Sequence, residues 1–252
     1  MKRARIFHKG AVTWAALVDN DRALRLPSGE ILALTQAHWL APVTPGATIF
    51  ALGLNYADHV KELGFKTKEP PLVFLKGPNT LTGHLGETVR PADGNQMHPE
   101  CELVAIVGKP ARHVSAAEAM NHVGGYTVAC DYAIREYLEN YYRPNLAVKN
   151  RDATTPLGPW VVDAAEIADP QKLRLRTMVN GKMVQEGSTA DMVLDIAGII
   201  AYLSETMTLL PGDMIMTGTP PGIHFCSPGD QVVCEIEEVG RLVNTLVAET
   251  GP

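Results

Sequence analysis

The stretch Glu100-Cys101-Glu102-Leu103-Val104-Ala105-Ile106-Val107 reads as a buried β-strand headed by two carboxylates. Working outward, Thr48-Ile49-Phe50-Ala51-Leu52 has the same character. Asn180-Gly181, flanked by Leu173 to Val179 and Met183 to Gln185, is the strongest two-residue hairpin signal in the chain. Pro211-Gly212-Asp213 and Pro228-Gly229-Asp230 each turn the backbone into a further strand, and Val232 to Ile236 with Leu242 to Val247 forms a final hairpin. Helical signals are fewer. Ser115-Ala116-Ala117-Glu118 is a capping box that opens a short helix, stopped by Gly124-Gly125. From Thr189 onward, Met192, Val193, Ile196, Ile199, Ile200 and Leu203 recur at helical spacing. Many strands and few helices predict an α+β, β-dominated fold and argue against regular βαβ alternation. Residues 1–45 form a small N-terminal strand-rich segment ending near Pro42 and Pro45-Gly46, and residues 46–252 form the main domain.

Composition narrows the function. The 252 residues are 46% hydrophobic and 20% charged, with 28 acidic against 22 Lys and Arg side chains and a net charge of −6. A mildly acidic chain has no general attraction for phosphate backbones, so no nucleic-acid partner is expected. No stretch approaches the roughly 20 apolar residues of a membrane span. The basic start, Met1-Lys2-Arg3-Ala4-Arg5, is followed by His8 and Lys9 rather than an apolar core, so a secretory signal is not expected. Cys101, Cys130, Cys226 and Cys234 contain no C-x-x-C pair and sit in apolar runs, as reduced core residues of a cytoplasmic protein do.

Chemistry concentrates in a few places. Residues i and i+2 of a strand share a face, so Glu100 and Glu102 project together while Cys101 points away. Two like charges about 7 Å apart or less repel unless a cation or proton lies between them. Asp131 ends the apolar run Tyr126-Thr127-Val128-Ala129-Cys130 and is placed to reach inward. Three carboxylates are a hard-oxygen set suited to Mg²⁺ or Mn²⁺, leaving about three positions of a six-coordinate ion for substrate and water. On spacing alone, Glu100 and Glu102 also fit the solvated face of an edge strand.

Asn55 and Asp58 form an N-cap pattern that sets His59 and Glu62 one helical turn apart, a pairing that suits a proton relay or an ordinary surface pair. Lys76 ends the apolar run Pro71-Leu72-Val73-Phe74-Leu75, which calls for a partner to its amine. Lys149, Arg151 and Arg135 are further cations suited to an acidic substrate or to solvent. Thr217-Gly218-Thr219-Pro220-Pro221-Gly222 presents hydroxyls and backbone amides but lacks the spacing of a phosphate-binding loop.

In this order, Gly53-x-Asn55-Tyr56-x-x-His59-x-x-Glu62, Phe74-x-Lys76, Glu100-x-Glu102, Asp131, Lys149 and Thr217-Gly218-Thr219-Pro220 resemble the fumarylacetoacetate hydrolase family from about residue 48 to the C-terminus. The resemblance implies a mixed β-roll or sandwich with a few flanking helices and a Mg²⁺ or Mn²⁺ ion on Glu100, Glu102 and Asp131. It also implies a lid carrying His59 and Glu62, Lys149 in the site, and a dimer or larger homo-oligomer. Asn55, Tyr56, Lys76, Gly218 and Thr219 become substrate-binding candidates with it. Gly124-Gly125-Tyr126-Thr127-Val128, Asp131-Tyr132-Ala133-Ile134-Arg135, Glu139 to Asn145 and Met207 to Asp213 are similar to one branch. That branch decarboxylates 5-oxopent-3-ene-1,2,5-tricarboxylate and isomerises 2-hydroxyhepta-2,4-diene-1,7-dioate in homoprotocatechuate (4-hydroxyphenylacetate) breakdown.

The best-known form of that branch carries two such units where this chain has one, which leaves a sister subunit open. Arg135 and Arg151, with Arg143, exceed what a 2-oxo monoacid needs and suit a di- or tricarboxylate, since guanidinium binds carboxylate bidentately. The alternatives are an acylpyruvate or fumarylpyruvate C–C hydrolase, an oxaloacetate decarboxylase, or a metal-free binding domain.

Overall fold

A computed structural model of the chain describes residues 1–58, 71–138 and 145–250. The N-terminal segment supplies strands β1 (Lys2–His8), β2 (Ala11–Val18), β3 (Ala23–Arg25), β4 (Ile31–Ala33) and β5 (His38–Leu40). They close over a small core of Ala4, Ile6, Ala15, Leu24, Leu32 and Trp39. Next come β6 (Ile49–Gly53), β7 (Leu72–Leu75), β8 (Leu81–Thr82), β9 (Gly86–Arg90), β10 (Met97–His98), β11 (Cys101–Val107), β12 (Val123–Cys130), β13 (Ala133–Ile134) and β14 (Thr155–Asp163). The remaining strands are β15 (Arg174–Val179), β16 (Lys182–Ser188), β17 (Met214–Met216), β18 (Gln231–Ile236) and β19 (Gly240–Ala248). Helices among the described residues are short: α1 (Ala116–Ala119), α2 (Leu146–Lys149) and α3 (Ile196–Thr206).

The large sheet runs in the order β4-β3-β2-β1-β14-β12-β11-β17-β6-β7, and a second runs β16-β15-β18-β19-β9. Their facing surfaces share one core. Leu103, Ala105 and Val107 of β11 meet Leu175 of β15, Cys234 of β18 and Leu242 of β19 there, with the Ile196, Ile199, Ile200 and Leu203 stripe of α3 against them. The alternate residue, Val104, packs into a second cluster with Ala129, Leu157, Met214 and Met216. Burial on both faces explains why β11 reads as a continuous apolar run rather than an alternating one. The β-dominated fold with few helices that the residues implied is what forms, in the sandwich that the resemblance implied.

Two local expectations change. Gly124 and Gly125 lie inside β12 and do not stop a helix. A Cβ on Gly124 would stand 2.7 Å from the Gly108 Cα, and one on Gly125 would stand 2.6 Å from the Val162 carbonyl oxygen. These glycines are set by close approach of neighbouring backbone. The helix expected from Thr189 begins only at Ile196, capped by Asp195. A capping box at Ser188 and Asp191 makes a separate turn of Thr189–Asp191, and Asn55 draws the Val193 and Leu194 amides away at 2.7 and 2.9 Å. The Asn180-Gly181 turn forms as read, with φ of 50° and 78°.

A Gly124→Ala substitution forces the Gly108 backbone aside and is expected to destabilise by about 1–3 kcal/mol, or roughly 3–10 °C for a domain of this size. Calorimetry that finds an unchanged melting temperature would show that the two backbones separate freely.

Candidate active site

Glu100 immediately precedes β11, Glu102 is its second residue, and Asp131 follows the last residue of β12, so antiparallel pairing brings the carboxylates to one end of the sheet. Cys101 stands directly opposite Cys130 in that register. One oxygen from each of the three acids lies within 4.8 Å of the others, and all three residues are buried. The spacing fits a single hard cation, whose ligand oxygens stand about 3–4 Å apart around an octahedron. The chemistry also fits. Burial, then the charges of Asp131 and Glu100, push the Glu102 carboxyl well above its ordinary range. Three ionised groups in that position therefore need positive charge among them.

Two ammonium groups supply part of it. Lys76 Nζ sits 2.7 Å from Asp131 Oδ1 and also donates to the Lys149 carbonyl oxygen, its side chain fully covered. Burial lowers its pKa although Asp131 opposes that. Lys149 Nζ lies 2.5 Å from Glu100 Oε2 and 2.8 Å from Asp131 Oδ2. Burial works against its charge, but Asp131 and Glu100 outweigh it and raise the pKa. Arg135 adds a third cation, Nη2 at 3.3 Å from Glu100 Oε1.

The loop after β17 completes the floor. Gly218, at φ 91°, donates its amide to Glu102 Oε2 at 2.7 Å. Thr219 Oγ1 donates to the Cys101 carbonyl at 2.9 Å. Asn55 spends its side-chain amide on Leu194 and Thr217 backbone, at 3.0 and 2.9 Å, and so braces this loop. Tyr56 is buried with its hydroxyl unpartnered among the described residues, and burial, then the Glu102 charge, raise its pKa. Arg151 takes another direction: its guanidinium lies 3.7 Å from Glu249 and over the Tyr137 ring. His59, Glu62 and Arg143 fall outside the described residues.

Two residues in the site were not anticipated. His98 Nε2 accepts from Arg135 Nε at 2.8 Å, so its own proton sits on Nδ1. Burial holds the imidazole down at about 4, so the ring is neutral at pH 7 and can accept. The spacing His98-x-Glu100-x-Glu102 was the available signal, since i, i+2 and i+4 share a face in extended backbone. Gln185 bonds the Cys101 amide and Thr177 hydroxyl through Oε1, and Thr219 and the Pro220 carbonyl through Nε2, all within 2.7–3.2 Å. Nothing local in the sequence marks it.

The fumarylacetoacetate hydrolase C-terminal family pattern matches residues 48–247. The chain belongs to the fumarylacetoacetate hydrolase family. Among relatives of this family, a 4-hydroxyphenylacetate degradation bifunctional isomerase/decarboxylase of Salmonella dublin is 60% identical over 208 residues, 82% of this chain and 48% of the relative. The chain therefore spans about half the length of that curated relative. A 5-carboxymethyl-2-hydroxymuconate delta-isomerase structure from Mycobacterium smegmatis superposes with a TM-score of 0.88 at 32% identity, covering 100% of both chains. A maleylpyruvate hydrolase from Sphingobium sp. SYK-6, solved with manganese(II) and pyruvate, superposes at 0.84 with 27% identity, covering 99% of this chain and 100% of that one.

Lys149→Met leaves Glu100 and Asp131 short of a cation and is expected to destabilise by about 3–5 kcal/mol. Thermal melts should show Mn²⁺ restoring more stability to this variant than it adds to the unsubstituted protein. An equal Mn²⁺ effect on both would mean that the ammonium and the ion do not share the carboxylates.

Proposed function

We propose that this chain is a divalent-metal-dependent decarboxylase and isomerase. Its substrates are 5-oxopent-3-ene-1,2,5-tricarboxylate and 2-hydroxyhepta-2,4-diene-1,7-dioate. The observation that carries the reading is the convergence of Glu100, Glu102 and Asp131, buried, within 4.8 Å of one another. The 60% identity to the isomerase/decarboxylase supports the choice of substrate. The local charge count supports it too: three carboxylates meet Lys76, Lys149 and Arg135, so a divalent ion leaves positive charge for a substrate of two or more negative charges.

Glu100, Glu102 and Asp131 are the residues that would hold Mg²⁺ or Mn²⁺. When bound, the ion supplies Lewis-acid polarisation of the 2-oxo group. The carboxylate on the carbon adjoining the double bond leaves as CO₂, and its electron pair runs through the conjugated chain to the ketone oxygen, giving the dienolate. Lys149, already charged, stabilises that oxygen by donation. Arg135, aimed by neutral His98, takes a substrate carboxylate. His59, oriented by Glu62, moves protons: protonation of the dienolate oxygen completes decarboxylation, and its removal with proton delivery to the remote carbon completes isomerisation.

A second reading is hydrolysis of a C–C bond in an acylpyruvate, favoured by the likeness to the maleylpyruvate hydrolase. The synthetic tricarboxylate, incubated with and without EDTA while CO₂ and the diene absorbance are followed, separates the two. CO₂ release without chain cleavage, abolished by EDTA, is the expected outcome. Cleavage products assign hydrolysis, and turnover untouched by chelation overturns both readings. His59→Ala is expected to lose about 10²–10⁴-fold in turnover while binding Mn²⁺ as before, read by titration calorimetry. Equal loss of the metal would remove His59 from the proton-transfer role.

A further inference from the structure

Both buried lysines stand where their secondary structure stops. β7 ends at Leu75, one residue before Lys76, and α2 is a single turn that ends at Lys149. One turn of helix has little stiffness of its own, and a lysine ammonium rides on a flexible four-carbon stem. Yet Lys149 Nζ is held 2.5 Å from Glu100 Oε2 and 2.8 Å from Asp131 Oδ2. The backbone from which it reaches is fixed from outside α2.

Asn150 makes that connection. Its side-chain Oδ1 accepts from the Gly77 amide at 2.7 Å, and its Nδ2 donates to the Leu75 carbonyl at 3.1 Å. These two bonds fall on either side of Lys76. A carboxamide carries an acceptor and a donor side by side, so it satisfies both backbone groups at once, as a neighbouring strand would. Turned over, it would set N–H against N–H and oxygen against oxygen. The Asn150 backbone amide closes α2 on the Leu146 carbonyl at 2.8 Å. The Lys76 amide donates to the Ile49 carbonyl of β6 at 3.0 Å, and Lys76 Nζ donates to the Lys149 carbonyl. The contacts close a ring that runs from the Lys76 backbone through Asn150 to the Lys149 carbonyl and back through the Lys76 ammonium.

A second asparagine provides a comparison. Asn79 Nδ2 donates to the Asn150 carbonyl at 3.1 Å and to Asp152 Oδ1 at 2.8 Å. It ties the same two segments together through bonds that bypass Lys76.

We propose that Asn150 is a positioning residue of the candidate active site, its carboxamide holding Lys76 and Lys149 in register so that the Lys149 ammonium is aimed before substrate arrives. Its effect on turnover rests on the reading of Lys149 as donor to the developing oxyanion; the placement of the ammonium does not.

The test compares full-length Asn150→Ala, Asn150→Gln and Asn79→Ala with the unsubstituted protein, each labelled with ¹⁵N-lysine. A buried, hydrogen-bonded ammonium exchanges its hydrogens slowly enough to give a nitrogen–proton signal, and Lys149→Arg identifies that of Lys149. Asn150→Ala is expected to lose this signal and to lower kcat on the tricarboxylate by about 10- to 100-fold. KM should change little, as when an interaction made only in the transition state is removed. The variant should still take up one Mn²⁺ ion per chain by titration calorimetry, so that the loss is not one of folded protein. Asn150→Gln, with the same amide on a longer stem, should recover part of the signal and of kcat. Asn79→Ala should lower the melting temperature and keep both. A Lys149 signal retained in Asn150→Ala or absent from the unsubstituted protein, an unchanged kcat, or equal losses in Asn79→Ala would each overturn the proposal. If the unsubstituted protein does not turn over the tricarboxylate, the functional reading fails instead, and the ammonium signals still decide the role of Asn150.

Discussion

Removing a carboxylate from water costs several kcal/mol unless its charge is met, and Glu100, Glu102 and Asp131 are removed together. Lys76 and Lys149 meet part of that charge from outside the β11–β12 pair that carries the acids. Each element around the centre is there because one of these charges has to be answered. β7 brings Lys76, α2 brings Lys149, and the stretch after β13 brings Arg135 with His98 behind it. An arrangement of this kind is worth little as stability. Replacing buried ion pairs with apolar side chains often leaves a protein as stable or more so. Its presence, buried at one end of a well-packed sheet, is therefore best understood as serving chemistry.

The surrounding scaffold converts a strand alternation into a site. Odd-numbered residues of β11 build the core between the sheets, even-numbered ones face the second cluster, and the carboxylates continue the even series past the end of the apolar run. The loop opposite is fixed by side chains whose hydrogen-bonding capacity is spent on backbone. Asn55 holds Thr217, and Gln185 holds both Cys101 and Pro220. With its backbone tied at both ends, the loop can aim the Gly218 amide at Glu102 without relying on its own stiffness.

Much of this could be read from the chain beforehand, for physical reasons. The strands around Leu103 and Val128 announce themselves because burial on two faces leaves no polar positions, and Asn180-Gly181 announces its hairpin because few other pairs accept two positive φ values. The acids were visible through the period of two. What stayed hidden depends on contacts distant in sequence. Gly124 and Gly125 look like a helix stop until Gly108 and Val162 are seen pressed against them. Met192 and Val193 look helical until Asn55, more than a hundred residues earlier, captures the backbone beside them. Arg151 looks like a site cation until Glu249 and Tyr137 are found beside it. Gln185 is one polar residue in an ordinary hairpin strand, and only the fold gives it four partners.

The first strand divides its hydrogen bonds three ways: with β2 along most of its length, with β5 near its end, and with β14 at Lys2 and Arg3. Through the last of these the N-terminal segment continues the large sheet. A fragment begun at residue 48, where the family pattern starts, would leave one margin of β14 with unpaired amides and carbonyls. An open β-sheet margin invites pairing with other molecules. Beyond its own small core, the N-terminal segment thus covers that margin of β14.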